Sequence, residues 1–161
     1  MKLARPLPFG HVTEIAMKGE AVAAEALEVL DQVYQALNAH DAEAVGRLCS
    51  EDIEFIAPAG VEFRGSDGVV DFTQALFEGT PDIQWTVTNR IEAGDTVVFE
   101  SIFEGTHTGI LRTPDGQEIP PTNRRVMGRV CDVSRVRDGQ IVSAHIYQDL
   151  LSYMQQLGVI G

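Results

Sequence analysis

Apolar residues recur at spacings of three or four in the early part of the chain, from about Gly19 onward. The positions on this face are Val22, Ala26, Leu30, Val33 and Leu37. Such spacing predicts an amphipathic helix with one broad apolar face. Asp41 can cap a short second helix, and Ser66 can cap a third helix that ends near Gly79.

Residues 1–18 lack this periodicity and carry proline and glycine, so we expect an irregular N-terminal arm. A single domain over residues 19–161 follows from the length, which suits one hydrophobic core.

Apolar and polar residues alternate through most of the second half, as in strands with one buried face. The strand segments read DIEFIAPAG, DIQWTVTNRI, TVVFESIFEGTHTG, RRVMGRVCDVSRV and QIVSAHIYQDL, and the segment DLLSYMQQLG predicts a short final helix. In the second segment, Ile83, Trp85, Val87 and Ile91 share the predicted inner side. Helices followed by an antiparallel meander predict an α+β fold, with a curved antiparallel sheet wrapped around the N-terminal helices.

Two polar residues fall on the inner face of this predicted sheet. On 96–107, His107 lies on the parity opposite to Glu100 and Glu104, which mark the solvated face. On 126–136, Asp132 lies opposite to the parity that carries arginines. On the last strand Val142, Ala144 and Ile146 form the inner parity. His145 and Tyr147 are then on the outer parity, where an interface with a partner subunit is favoured over catalysis.

An imidazole and a carboxylate inside one apolar cone form a candidate acid–base pair. Burial raises a carboxyl pKa and lowers an imidazole pKa, so either group can work near neutral pH. Each residue also has a structural interpretation: Asp132 can hydrogen-bond a backbone amide or a buried arginine, and His107 can be a satisfied core histidine.

Further candidates are aromatic or lie near the end of a strand. Tyr34 and Trp85 are expected pocket walls whose polar tips need partners, a ligand oxygen being one possibility. Asp149 is either the N-cap of the last helix or a group at the pocket mouth. The segment RTPDGQEIPPTN is either a lid over the cone or a surface crossover.

Composition excludes several classes of partner. The net charge of -12 disfavours nucleic acid and anionic membrane surfaces. Cys49 and Cys131 show no metal-site spacing and are expected to be buried free thiols rather than a disulfide. No segment is typical of a secretory signal or a membrane span, so a cytoplasmic location is expected.

The motifs together resemble a known family. VYQALNAHDAEAVGRLCSEDIEF is similar to the opening of NTF2-like domains, and FEGTHTG, PPTNRRV and VRDGQIVSAHIYQDLLSYMQQLG resemble the SnoaL-like polyketide cyclase branch. The resemblance covers about residues 25–158. It implies a cone-shaped barrel with a deep apolar pocket, cofactor-free acid–base ring closure of a polyketide, often an aldol step, and homodimers or higher homo-oligomers.

The resemblance transfers to individual residues only in part. His107 matches the histidine of a G-x-H-x-G element, and Asp132 falls where a cyclase has histidine and ketosteroid isomerases have an oxyanion-binding aspartate. The principal aspartate of the cyclases falls on Ile146. The isomerase base falls on Ala57 and its tyrosine one place from Tyr34, and the Asp-Arg-Asp set of limonene-epoxide hydrolases is not matched.

These arguments predict a SnoaL-like cyclase or isomerase, of the lyase or isomerase class, in polyketide-type secondary metabolism such as antibiotic biosynthesis. It needs no cofactor or metal and acts on an apolar, oxygenated small molecule. His107 and Asp132 are the predicted catalytic residues. With Ile146 in place of the aspartate, a cyclic ether is a more suitable product than an aldol. The predicted substrate-binding residues are Tyr34, Trp85, Phe55, Phe103, Ile146 and Asp149.

Two alternatives stay open at this point. One is a non-catalytic small-molecule-binding protein on the same fold, because a fold does not determine function. The other is a hydrolase or dehydratase that uses the same pocket.

Overall fold

The computed structural model describes residues 9–113 and 117–161, with side chains from residue 18 onward. The helices are α1 (Phe9–Asn38), α2 (Ala42–Arg47), α3 (Gly65–Gly79) and α4 (Leu150–Leu157). The strands are β1 (Cys49–Ala57), β2 (Val61–Arg64), β3 (Gln84–Ala93), β4 (Thr96–Thr106), β5 (Leu111–Arg112), β6 (Glu118–Ile119), β7 (Arg125–Arg137) and β8 (Gln140–Gln148).

Helix α1 is longer than the periodicity predicts. It begins at Phe9, so the second half of the expected irregular arm is helical backbone, and residues 1–8 lie outside the described residues. Its buried face, from Ala26 to Ala36, follows the predicted spacing. No helix of the described chain is long and apolar enough to cross a membrane.

The helix caps agree with the sequence at two positions out of three. The Asp41 carboxylate accepts a hydrogen bond from the Ala44 amide at 2.8 Å, and α3 ends at Gly79 as expected. The cap predicted at Ser66 is wrong, because α3 already begins at Gly65 after Arg64. Gly65 has φ +74, a left-handed conformation that suits glycine and turns the chain into the helix before Ser66.

Six strands form one sheet in the order β2-β1-β8-β7-β4-β3. The expected α+β architecture is confirmed, but the sheet is mixed, because β8 pairs in parallel with β1. The chain leaves β1, passes through α3 and the meander, and returns beside β1 in the same direction. Strand β2 was not predicted; it is four residues long and pairs Ala57 with Val61 across a tight turn.

Two β-bulges change which side chains face inward. The register of β3 shifts between Val87 and Asn89, so Arg90 pairs with the inward Phe99 and Ile91 is 53% exposed. The expectation of an inward Ile91 is therefore wrong. In β8 a shift beside Val136 places Ile141 in the core instead of Val142. Each bulge adds one residue and thereby reverses the alternation.

Two apolar clusters fill the space between the sheet and the helices. The first cluster lies under α1 and includes Leu30, Ile53 and Phe99. The second cluster includes Phe77, Phe103 and Leu157 and is covered by α4. Trp85 packs against both clusters, so it marks the boundary between them.

Polar contacts fasten α1 to strand β3 along its length. The Asn38 side-chain amide bonds both backbone groups of Trp85, at 2.7 and 2.9 Å. Asp31, two turns earlier, accepts from Arg90 at 2.7 and 3.0 Å. These contacts determine where the residues between Asp31 and Asn38 meet the sheet.

We predict that Gly109→Ala destabilises the fold by about 1–3 kcal/mol, the range for overpacking of a close contact. A Cβ at Gly109 would overlap the Glu78 carbonyl at the end of α3, where the Gly109 amide bonds Gly79. Gly19→Ala is the control, because a Cβ there meets nothing within 4 Å. Alanine inside a helix should stabilise by about 0.5–1 kcal/mol. Urea unfolding measures both, and equal stability of the two variants would contradict the packing argument.

Candidate active site

Four inward positions of the sheet are incompletely covered by the helices. Val87, Val130, Ile146 and Gln148 occupy inward positions in the sheet but are only half-buried. Inward residues of a covered sheet keep exposed surface only where the covering layer leaves space. Trp85 on β3 is also half-buried. We call this incompletely covered part of the inner face the hollow.

Asp132 lies in the floor of this region. It pairs with Phe99 on β4 and with Ile146 on β8, and it is 6% exposed. The Ser134 hydroxyl donates to its carboxylate at 2.6 Å. Burial raises the pKa of Asp132 to about 6, and only the Ser134 hydrogen bond opposes the shift. No described cation compensates this carboxylate.

Tyr34 brings a hydroxyl from α1 to the same floor. Its ring lies 5.5 Å from the Phe99 ring, and its hydroxyl is 3.2 Å from the Ser101 hydroxyl. Burial and then the charge of Asp132 raise the pKa of Tyr34 well above its usual value. Tyr34 therefore stays protonated at neutral pH and can donate a hydrogen bond.

The two cysteines are free, as expected. Cys49 is buried, and its thiol bonds the Val45 carbonyl at 3.4 Å. Burial, with a smaller contribution from the charge of Asp132, raises the pKa of Cys49 to about 12, so it is not a nucleophile at neutral pH. Cys131 is only half-buried, which differs from the expectation of two buried thiols.

His107 is fully buried in the loop that follows β4. Its Nδ1 accepts the Thr122 amide at 3.2 Å and lies 3.1 Å from the Thr122 hydroxyl, so the ring proton is on Nε2. Its backbone also bonds Asn123 and Arg124. Burial lowers the pKa of His107, which keeps the ring neutral. Its Nε2 is buried without a hydrogen-bond partner among the described residues.

His107 and Asp132 are not brought together. Thr106 pairs with Arg125, and Asp132 lies seven residues further along β7. Seven residues of strand span about 23 Å, at roughly 3.3 Å per residue. Both side chains are inward and buried, as alternation predicts, but they lie near opposite ends of the sheet.

The other predicted site residues are distributed over several environments. Phe55 packs against Phe72 with ring centroids 5.2 Å apart, and Phe103 packs against Tyr153 at 5.8 Å. Ile146 borders the hollow beside Asp132. Asp149 is exposed and caps α4 through the Ser152 amide at 3.0 Å. The predicted lid segment contains the short β5–β6 ribbon, and its residues 114–116 lie outside the described residues.

Several residues near Asp132 were not predicted as site residues, although the alternation of the strands had placed some of them on the inner face. Ser101 and Ser134 fall on the predicted inner parity, and that parity was the available signal. Gln148 shares the parity of Ile146 and was equally accessible to this reasoning. Arg90, whose guanidinium lies 5.2 Å from the Phe99 ring centroid, was hidden by the β3 bulge.

Among residues 18–113 and 117–161, no three His, Cys, Asp or Glu side chains converge as a metal site requires. The polar groups of the floor are one carboxyl and several hydroxyls. Such a set can take up or deliver a proton and hydrogen-bond an oxygen atom.

Comparison with known protein families gives one match. A model described as the SnoaL-like domain matches residues 30–144, most of the chain. The chain belongs to the SnoaL-like domain family. A comparison with curated proteins found no match.

Solved structures with similar folds agree with the membership of this chain in the SnoaL-like family. A candidate SnoaL-like polyketide cyclase from Jannaschia sp. CCS1 superposes with a TM-score of 0.77 at 19% identity, covering 87% of this chain and 96% of that one. IdmH, a candidate polyketide cyclase from Streptomyces antibioticus, is 29% identical with a TM-score of 0.65, covering 83% and 98%. An LEH-like epoxide hydrolase from M. tuberculosis is 19% identical with a TM-score of 0.64, covering 85% of this chain and 92% of that one. The fold expected from the sequence is thereby confirmed.

We predict that Asp132→Asn changes how the stability of this SnoaL-like domain depends on pH. The pKa of Asp132 is raised in the folded state, so its stabilising contribution is present below about pH 4 and is lost as pH rises through about 6. The total is about 3 kcal/mol, of which about 1–2 should appear between pH 5 and pH 8.

Urea unfolding at pH 5 and pH 8 measures the effect. The free energy of unfolding of Asp132→Asn, relative to wild type, should rise between these values. Asp138→Asn, in the exposed β7–β8 turn, is the control and should follow wild type. An identical pH dependence of wild type and Asp132→Asn would contradict the raised pKa.

Proposed function

We propose that this protein is a cofactor-independent acid–base enzyme that acts on an apolar, oxygenated small molecule bound in the hollow. Asp132 is the proton acceptor, and Tyr34 donates a hydrogen bond to the oxygen that gains negative charge. The observation that carries the proposal is the buried Asp132 carboxyl, which has a pKa of about 6 and no compensating cation among the described residues. The charge of this carboxyl also acts on the hydroxyl of Tyr34.

A carboxyl group in this position costs stability. An asparagine or an apolar residue would avoid the desolvation of the carboxylate near neutral pH, so its presence favours a functional interpretation. A pKa of about 6 also suits general-base catalysis near neutral pH, because the carboxyl group is mostly ionised at pH 7 yet remains a competent base. Tyr34 cannot replace it as base, since its own pKa is raised.

The reaction that fits these two groups is an intramolecular ring closure. A substrate hydroxyl gives its proton to Asp132 while its oxygen attacks an epoxide carbon, forming a C–O bond. The epoxide C–O bond breaks while Tyr34 donates a hydrogen bond to its oxygen, and the proton held by Asp132 passes to this oxygen to give a hydroxyl. The product is an isomer of the substrate, Asp132 is again ionised, and no oxidant or reductant is needed.

The family comparison supports the substrate class. IdmH is described as a candidate polyketide cyclase, and the M. tuberculosis neighbour as an epoxide hydrolase. Ile146 stands beside Asp132 where the resemblance expects the aspartate of aldol cyclases, which favours a cyclic ether over an aldol product. We place the reaction in polyketide-type secondary metabolism, in the reducing cytoplasm that the free thiols of Cys49 and Cys131 favour.

This proposal replaces His107 with Tyr34 as the partner of Asp132. One substrate atom cannot exchange protons with both His107 and Asp132 across about 23 Å of strand. His107 is instead engaged with the Thr122 amide. A role for His107 in binding a distant part of the substrate stays a prediction, as does the role of Asp149.

We predict that Asp132→Asn lowers kcat/KM for ring closure by about 10²–10⁴, the range for loss of a general base. The assay follows the conversion of a panel of apolar hydroxy-epoxides to isomeric cyclic ethers by chromatography and mass spectrometry. In wild type, kcat/KM should rise with pH through about 6, as Asp132 ionises. Tyr34→Phe should lower kcat and leave this pH dependence in place.

Asp138→Asn and Tyr147→Phe make the same chemical changes at exposed positions and should keep wild-type rates. Folded Asp132→Asn and Tyr34→Phe proteins with wild-type rates would overturn the assignment of roles. Stoichiometric binding of the panel with no turnover by wild type would favour the non-catalytic alternative. Hydrolysis to a diol would favour the hydrolase.

We also propose that two copies associate through the outer face of the sheet. A groove of about 540 Å³ runs across this face, bordered by Glu100, Arg129 and Tyr147. Tyr147 and Met127 are large and more than half exposed, at 59% and 53%. In a two-fold dimer the same surface of each copy forms the contact, so this surface must be complementary to itself. A face that carries both positive and negative side chains beside apolar ones can be self-complementary.

Tyr147→Glu should shift the protein from the mass of two chains to that of one in light scattering. The introduced carboxylate would have to leave water when the two copies associate, and this desolvation opposes the contact. Gln155→Glu, on the exposed side of α4, adds the same charge elsewhere and should leave the mass unchanged. A single-chain mass for wild type at micromolar concentration would refute this interface.

A further inference from the structure

Arg90 is a positively charged residue in the same cross-strand row as Asp132. It pairs with Phe99 on β4, and Phe99 pairs with Asp132 on β7. Residues paired in this way share one face of the sheet, so the three side chains leave the backbone on the inner face. Two strand spacings separate the Cα atoms of Arg90 and Asp132 by about 10 Å. An uncompensated guanidinium at this distance would act on a carboxylate.

Asp31 on α1 holds and neutralises this guanidinium. One oxygen of the Asp31 carboxylate accepts from Arg90 Nε at 3.0 Å and from Arg90 Nη2 at 2.7 Å. The guanidinium carbon lies 5.2 Å from the centre of the Phe99 ring. The Arg90 and Asp31 side chains are 46% and 40% exposed. The cation is therefore held at the rim of the sheet, with Phe99 between it and Asp132 in the row.

The titratable groups that interact with Asp132 from the neighbouring elements carry no positive charge. These groups are Tyr34 on α1, Cys49 on β1 and Cys131 on β7. Burial is the main cause of the raised pKa of each group, so all three are neutral near pH 7. Strands β4 and β8 contribute the apolar Phe99 and Ile146 on either side of Asp132. The net charge of the Asp31–Arg90 pair can therefore change the proton affinity of Asp132 along the row.

We propose that Asp31 is a positioning residue of the candidate active site, which neutralises Arg90 and holds it at the rim so that no cation weakens Asp132 as a base. A carboxylate stabilised by a nearby positive charge takes up a proton less readily. Asp31 acts through Arg90 and not by contact with the substrate. The inference rests on the proposed function, because base strength matters only if Asp132 accepts a proton during the reaction.

Asp31→Asn keeps an acceptor oxygen for Arg90 and removes the negative charge, which leaves the guanidinium uncompensated. We expect the pKa of Asp132, followed by the carboxyl carbon resonance in NMR titrations, to fall by about 0.3–1 pH unit. Titration at about 0.01 M ionic strength keeps screening small, because the Debye length is then about 30 Å. Arg90→Gln leaves the Asp31 carboxylate unpaired and should raise the pKa of Asp132. The double variant carries neither charge and should return this pKa to the wild-type value.

Glu104→Gln is the matched control. It removes the same charge from another exposed pair, Glu104–Arg125, whose arginine lies seven residues from Asp132 along β7. The pKa of Asp132 should not change in this variant. The inference is overturned if Asp31→Asn lowers the pKa of Asp132 no more than Glu104→Gln does. It is also overturned if the double variant keeps the pKa of Asp31→Asn, since the charge of Arg90 would then not be the cause.

The hydroxy-epoxide assay tests the proposed function separately from the titration. The rise of kcat/KM with pH should move to lower pH in Asp31→Asn by the same amount as the pKa of Asp132. Turnover by wild type together with an unchanged pKa in Asp31→Asn would refute only the role of Asp31. A lowered pKa in Asp31→Asn with no turnover by wild type would refute the proposed function, and the catalytic importance of Asp31 with it.

Discussion

The packing of α1 against the inner face of the curved sheet is the contact on which both the core and the candidate site depend. It buries Leu30 and Phe99 in the first cluster, and it brings the Tyr34 hydroxyl to 3.2 Å from the Ser101 hydroxyl. Asn38 and Asp31 hold the helix in register through Trp85 and Arg90. Without this contact the Asp132 carboxyl would face water, and its pKa would return toward that of an exposed aspartate.

The chemistry of the floor follows from desolvation rather than from a charge pair. Asp132 keeps one side-chain hydrogen bond, from Ser134, and no cation offsets its burial. Burial, and after it the charge of Asp132, raises the pKa of Tyr34, so one buried group acts on the other. A carboxylate near its pKa and a persistent hydroxyl donor are complementary for moving a proton at an oxygen atom. The proposed reaction uses this complementarity.

Sequence patterns predicted the strands and helices well where the side-chain period is uninterrupted. Alternation over residues 96–107 and on β7 placed Phe99, His107 and Asp132 inside, and all three are buried. It failed where one residue is inserted: the bulge in β3 turned Arg90 inward and Ile91 outward. A bulge leaves no mark in the hydrophobic pattern, because it depends on how neighbouring strands accommodate twist.

The amino-acid sequence by itself determined the α+β class, the family resemblance and the inward direction of Asp132 and His107. These depend on local period and on motifs, which are present in one dimension. The tertiary structure alone decided that the charge of Asp132 acts on Tyr34 and that His107 lies at the far end of the sheet. The reason is that alternation assigns a face and not a position along the strand, while the meeting of α1 with β4 depends on how helix and sheet pack over many residues.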